Sequence, residues 1–157
     1  MKKVLFIIGI VLVIEIVIYS LGDDANTIER SANSNTLYKY ELDIKQYGVG
    51  KTEDGRDVIA IMYNFTNNDE DDMSFYAGID DSVYQNGVKL EKAYDYEKTN
   101  YETRIKSGAS VDVTLVYELI DTKSDVEVVL ELGGLTLWYG EEDENKKITR
   151  IIKIEEE

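Results

Sequence analysis

The chain has 157 residues, carries 17 Lys plus Arg against 32 Asp plus Glu, and has a formal net charge of −15 at pH 7. It contains no Cys, His or Pro, which excludes disulfides, thiolate metal sites, cysteine nucleophiles, His-based triads and most zinc or copper centres. The charge also excludes a nucleic-acid partner, because phosphate binding relies on Lys and Arg displacing counterions, and the length allows one domain of about 100–150 residues.

Residues 1–22 read as a signal peptide or membrane anchor. Lys2 and Lys3 precede an apolar run from Val4 to Leu21 in which 14 of 18 residues are Val, Leu, Ile or Phe and only Glu15 is charged. As a helix the run spans roughly 27 Å, close to the bilayer core of about 30 Å. Each large aliphatic side chain favours insertion by about 0.3–0.6 kcal/mol, so their sum outweighs the cost of about 2.5–3.5 for Glu15. The lysines in front and Asp23 and Asp24 behind direct the rest of the chain outward. Ser20-Leu21-Gly22 offers small residues for a signal peptidase, whereas the apolar run is longer than a cleavable core of about 7–15 residues. Both fates stay open: a secreted domain, or one held at the cell surface by its anchor. Residues 23–37, rich in Asn, Ser, Asp and Thr, bury little and read as a flexible linker.

From Tyr38 onward the period is two. Tyr40, Leu42 and Ile44 alternate with Glu41, Asp43 and Lys45, as in a half-buried strand. Val58–Phe65 is apolar on both faces, which predicts a central strand covered on each side. Met73–Ile79 suits a short helical turn or a bent edge segment. Asn86-Gly87, between the arms Val83-Tyr84-Gln85 and Val88-Lys89-Leu90, is a type I′ hairpin signal, because both turn residues need positive φ. Alternation returns at Val111–Leu119, Val126–Leu132, Leu135–Tyr139 and Ile148–Ile154. Seven or eight short strands without an amphipathic helix predict an all-β, antiparallel β-sandwich over residues 38–157.

Few patterns carry chemistry. Gly48-Val49-Gly50-Lys51-Thr52 ends like a phosphate-binding loop, but Lys45 stands where the first Gly belongs and a turn follows Thr52. Asn64-Phe65-Thr66 fits the glycosylation sequon, yet a central strand is a poor acceptor. Asn67–Asp72 gathers four acids, and Asp69, Asp71 and Asp72 are the candidate ligands for weakly held Ca²⁺, although the alternating acid–Gly–Glu order of a calcium loop is missing. No other cofactor is expected. Tyr94, Tyr96 and Tyr101 share one long connection, where tyrosines either build a contact surface or anchor the loop on the sheet. Residues 23–157 contain 31 acids, so two carboxylates for glycoside cleavage can be paired on paper, but no spacing selects an acid and a nucleophile.

Two stretches carry a family likeness. The first runs from Asp54-Gly55-Arg56 through Val58–Phe65 to Thr66-Asn67-Asn68, with Ser74-Phe75 and the Gln85-Asn86-Gly87 hairpin behind it. The second is Ile105-Lys106-Ser107-Gly108-Ala109-Ser110-Val111, leading into Val116–Leu119. Together, over roughly residues 38–132, they resemble the exported immunoglobulin-like (telokin-like) domains of unknown function of Gram-positive bacteria, usually lipoproteins. The resemblance implies a sandwich at the cell surface and no particular activity. Asp23 stands where a lipidated Cys would be needed, so lipid anchoring does not carry over. The expected function is non-enzymatic binding of an extracellular or cell-envelope protein with a neutral or basic surface. An acidic cation-binding envelope component and a small carboxylate-dependent hydrolase are the alternatives.

Overall fold

The computed structural model describes residues 17–20, 28–31, 35–93, 98–134 and 147–154. These form two antiparallel sheets. In the first, β1 (Val17–Ser20), β4 (Tyr40–Lys51), β5 (Asp57–Asn67) and β8 (Ala109–Glu118) lie side by side in that order, and β3 (Thr36–Leu37) also pairs with β4. The second runs β2 (Ile28–Ser31), β10 (Lys147–Ile152), β9 (Val126–Leu132), β6 (Ile79–Gln85) and β7 (Val88–Lys89). One short helix, α1 (Phe75–Gly78), leads into β6. Tyr63, Phe65, Val113 and Leu115 of the first sheet share one core with Val83, Val128, Leu130 and Ile152 of the second. The all-β fold thus follows from alternation: each strand places every second residue in the space between the sheets.

The alternation in β4 changes phase once. Ile44 pairs with Tyr63 and Gln46 with Met62, so Lys45 is an extra residue, a β-bulge. Tyr40, Leu42 and Ile44 face inward before it, and Tyr47 faces inward after it. In β5, Ile59, Ile61, Tyr63 and Phe65 are buried, while Ala60, Met62 and Asn64 on the other face are only half-buried. The strand is central, between β4 and β8, but the outer face is not sealed as its apolar run predicts. At the hairpin, Asn86 (φ 54°) and Gly87 (φ 77°) both take the left-handed conformation a type I′ turn demands.

Two expectations change in the N-terminal part and one lies out of view. Val17–Ser20 is a strand, paired through Tyr19 with Tyr47, and not the end of a helix; its Val and Ile suit the pleat. The helical expectation for residues 1–16 lies outside the described residues, and among the described residues no helix is long and apolar enough to cross a membrane. Within the expected linker, Ile28–Ser31 pairs with β10 and Thr36–Leu37 with β4. Leu37 is fully buried, so this apolar residue ties the segment down despite its polar neighbours. The strand expected at Leu135–Tyr139 lies outside the described residues.

Tyr40 carries a local cost. Its ring is fully buried beside Phe65, with centroids 5.6 Å apart, and its hydroxyl has no hydrogen-bond partner among the described residues. Burial pushes the phenol up to about 12. A buried hydroxyl without a partner costs about 1–3 kcal/mol. Tyr40→Phe is therefore expected to raise the urea midpoint, by about 1 kcal/mol of stability; a loss of stability would show that the hydroxyl is satisfied.

Candidate functional site

The site begins at α1. Ser74 caps the turn, its Oγ accepting from Ala77 N at 3.3 Å. Successive side chains on a helix diverge, so Phe75 enters the core while Tyr76 points out and is 60 % exposed. The described residues between β7 and β8, 90–93 and 98–108, form a strap over this end. Tyr76 N donates to Tyr101 O at 3.0 Å, and the two rings meet edge to face at 5.3 Å. Tyr101 is buried and also lies 6.0 Å from Phe75. Lys92 and Lys98 place their ammonium groups 5.0 and 5.2 Å from the Tyr101 ring centre.

Beneath the strap lies a polar network. Asp81 on β6 faces the core side and is almost fully buried. Its Oδ1 accepts from Lys92 Nζ at 2.7 Å, and its Oδ2 accepts from the Tyr117 hydroxyl. Lys92 Nζ also donates to Tyr101 Oη at 3.1 Å, and the Tyr63 and Tyr117 hydroxyls lie 3.4 Å apart. Burial alone would lower the Lys92 ammonium, but its bond to Asp81 prevails and holds it above the usual range. Burial drives the Tyr63 and Tyr117 phenols well up. All three groups keep their protons to higher pH in the folded chain than in the unfolded one. Stability is therefore full below the ordinary phenol range of about 10 and falls as pH rises through it. Urea midpoints should be flat from neutral pH to about 9 and then drop; a flat profile to pH 12 would contradict the buried phenols.

Next to Tyr101 the strap folds into a cleft of about 460 Å³ lined by Lys98, Asn100, Tyr101, Glu102 and Thr103. Asn100 takes φ 57° and donates from Nδ2 to Asp112 O at 3.0 Å, while Thr103 N donates back to Asn100 O at 3.2 Å. Thr103 Oγ1 also donates to Asn100 Oδ1 at 3.4 Å, so the turn closes on itself, with Lys98 and Glu102 exposed beside Tyr101.

The residues expected to act are distributed unevenly. Tyr101 is at this site, but as a buried support. Tyr94 and Tyr96 lie outside the described residues. Tyr76 was not singled out by the sequence, although a Phe-Tyr pair behind a capping Ser means that one ring turns in and the other out. Asp69 is held by Lys39 at 2.8 Å, which keeps its carboxyl below the usual range. Asp71 and Asp72 are exposed. Their loop is shaped by buried Asn67, which donates to Asp71 O at 2.8 Å and Ile105 O at 3.1 Å and accepts from Asp69 N at 3.0 Å. Among the described residues no three acidic side chains gather as metal ligands. Gly48–Lys51 lies in β4, and Thr52 Oγ1 accepts from Arg56 N at 2.8 Å in the following turn. Asn64 spends its amide on Asp112 at 2.7 Å.

The profile of a family described as a domain of unknown function (DUF5067) matches residues 20–131. The chain belongs to the DUF5067 family. The match takes in α1, the strap and the strands that carry Asp81 and Tyr117, and it stops before β10. This DUF5067 chain is similar to a solved structure described as a "putative lipoprotein" from Staphylococcus aureus subsp. aureus NCTC 8325. The likeness covers 81 % of this chain and 93 % of that one, at 16 % identity and a TM-score of 0.55, so it speaks for a shared fold. A comparison with curated proteins finds no match.

Proposed function

We propose that this DUF5067 domain is an exported, non-enzymatic binding module with an immunoglobulin-like sandwich, which engages a cell-envelope partner through its Tyr76–Tyr101 end. One observation carries the reading: Tyr76 is 60 % exposed yet held fast, its ring packed on Tyr101 and its backbone bonded to Tyr101 O. A rigid aromatic on a fixed loop forms contact area at little entropic cost. The chain passes between the sheets repeatedly, from the β4–β5 pair to β6 and β7, back to β8 and again to β9, which supports the immunoglobulin-like description. The lysine-led apolar sequence of residues 1–16 and the lipoprotein description of the structural neighbour support export to the cell surface. A charge of −15 favours a partner that is neutral or basic over an anionic one. Among the described residues the cleft offers one carboxylate, Glu102, and buried Asp81 is engaged by Lys92 and Tyr117, which supports binding over two-carboxylate hydrolysis.

A photo-crosslinking residue placed at position 76 in cells that make the protein should form adducts, and one placed at position 88 should not. Val88 is similarly exposed, at 57 %, but sits on the hairpin at the other end of β6. Equal capture at both positions, or none at 76, would overturn the proposal. Tyr76→Ser should leave the domain folded, lowering its stability by no more than about 0.5–1.5 kcal/mol for the lost aromatic pair with Tyr101.

A further inference from the structure

At the end of β6 away from Tyr76, two side chains of the β6–β7 hairpin hold the loop between β8 and β9. Buried Gln85 donates from Nε2 to Asp121 O at 2.9 Å and to Ser124 O at 2.8 Å, and its Oε1 accepts from Ile120 N and Asp121 N. Outside it, exposed Asn86 donates from Nδ2 to Asp121 Oδ2 at 3.1 Å and to Ser124 Oγ at 3.2 Å. Asn86 is followed by Gly87, also exposed, and no other asparagine of the chain precedes a glycine. These two residues are the turn itself, between Gln85 and Val88, which pair with each other, so the Gly87 amide lies outside the ladder. Glycine has no Cβ, which lets its backbone nitrogen come close to the side-chain carbon of Asn86. Asn64 and Asn67, by contrast, sit in β5 with their amides bonded to Asp112 and to Asp71 O and Ile105 O.

We propose that Asn86 is a site of spontaneous deamidation, which turns the amide that clasps the β8–β9 loop into a carboxylate facing Asp121 and loosens this end of the sandwich. The Gly87 nitrogen, losing its proton to solvent base, forms a bond to Asn86 Cγ; the Cγ–Nδ2 bond breaks and the amide leaves as ammonia. Water then opens the cyclic imide at either carbonyl to give aspartate or isoaspartate, so water is consumed, ammonia is released and nothing is oxidised or reduced. The exposed turn can free Nδ2 for this step without unfolding the sheets, because bonds at exposed edges open locally. Aspartate in place of Asn86 sets two carboxylates where a donor met an acceptor. Asp121 stays ionised there, because bonds from the Ser124 and Lys123 amides and the Ser124 hydroxyl hold its carboxyl down to about 2. The repulsion removes the outer part of the clasp and leaves Gln85 to hold the loop. Isoaspartate lengthens the backbone within the tight turn and moves Val88 off its pairing with Gln85.

The test is to age the full chain in detergent micelles in warm, mildly alkaline buffer and to follow each asparagine by peptide mass spectrometry. The peptide that holds Asn86 should be the first to convert, gaining the mass difference between OH and NH2 and splitting into aspartate and isoaspartate forms. Freshly made Asn86→Asp should unfold at a lower urea concentration than the native chain. Asp121→Asn added to it should restore most of that loss, because amide and carboxylate then exchange places across the same contact. No conversion at Asn86, earlier conversion at another asparagine, an unshifted midpoint in Asn86→Asp, or no recovery in the double variant would overturn the proposal.

Discussion

Lys92→Met is expected to lower the stability of the domain by about 3–5 kcal/mol, because it strands a charge in the core. The Asp81 side chain is 2 % exposed, and its carboxylate has two partners, Lys92 at 2.7 Å and the Tyr117 hydroxyl. A neutral phenol cannot by itself offset a buried negative charge, so the variant leaves the Asp81 carboxylate without its cation. The strap should stay in place, since Ala93 N still donates to Val116 O and Glu118 N to Glu91 O. The converse substitution, Asp81→Leu, should cost less, because the Lys92 side chain is 20 % exposed and can turn toward water. The double variant Asp81→Leu with Lys92→Met should recover most of the loss, as apolar replacement of a buried pair often does. Urea unfolding of the four proteins, with slopes compared to confirm a common mechanism, measures these differences. Near-additive losses would mean that the two side chains do not act as a pair.

Gly133→Ala is the second large effect expected. Gly133 ends β9 where that strand crosses behind α1, and Gly133 N donates to Gly78 O at 2.8 Å. A Cβ at this position would lie 3.0 Å from Ile79 N, 3.1 Å from Ala77 O and 3.1 Å from Gly78 C. All three are backbone atoms, which cannot swing aside as a side chain would. The turn of α1 would have to move, and with it Phe75 in the core and Tyr76 on the surface. Overpacking of this kind costs about 1–3 kcal/mol and sometimes more, and Gly133→Val should exceed Gly133→Ala. Gly134→Ala is the matched control, because a Cβ there meets nothing within 4 Å. It should be neutral or slightly stabilising. Melting curves of the three variants decide it, and equal losses at positions 133 and 134 would contradict the crossing.

The sheets were readable wherever one strand face is wet. Leu42 against Glu41 and Asp43, or Val128 and Leu130 against Glu127 and Glu131, announce both strand and inner face, and Asn86-Gly87 announces its hairpin by a backbone requirement. Pairing order was not readable, because alternation says nothing about neighbours, and the Lys45 bulge reverses the phase within a single strand. Val17–Ser20 and Ile28–Ser31 escaped because their partners, β4 and β10, lie far along the chain. The site was half legible. A Tyr-rich connection pointed toward Tyr101, but Tyr76, Asp81 and Lys92 come together only when β6 and the strap meet. Lys92 in the sequence resembles any surface lysine. The acidic loop gave the opposite lesson: Asp69, dense with acid neighbours, is answered by Lys39 thirty residues away.

The proposed contact function is tested most directly by the affinity of the domain for isolated cell envelopes, measured by co-sedimentation for the native chain, Tyr76→Ser and Val88→Ser. The native chain and Val88→Ser should sediment alike, while Tyr76→Ser, still folded by its melting curve, should remain in the supernatant. Sedimentation of Tyr76→Ser at the native level, or loss of binding in Val88→Ser alone, would contradict an end built around Tyr76 and Tyr101.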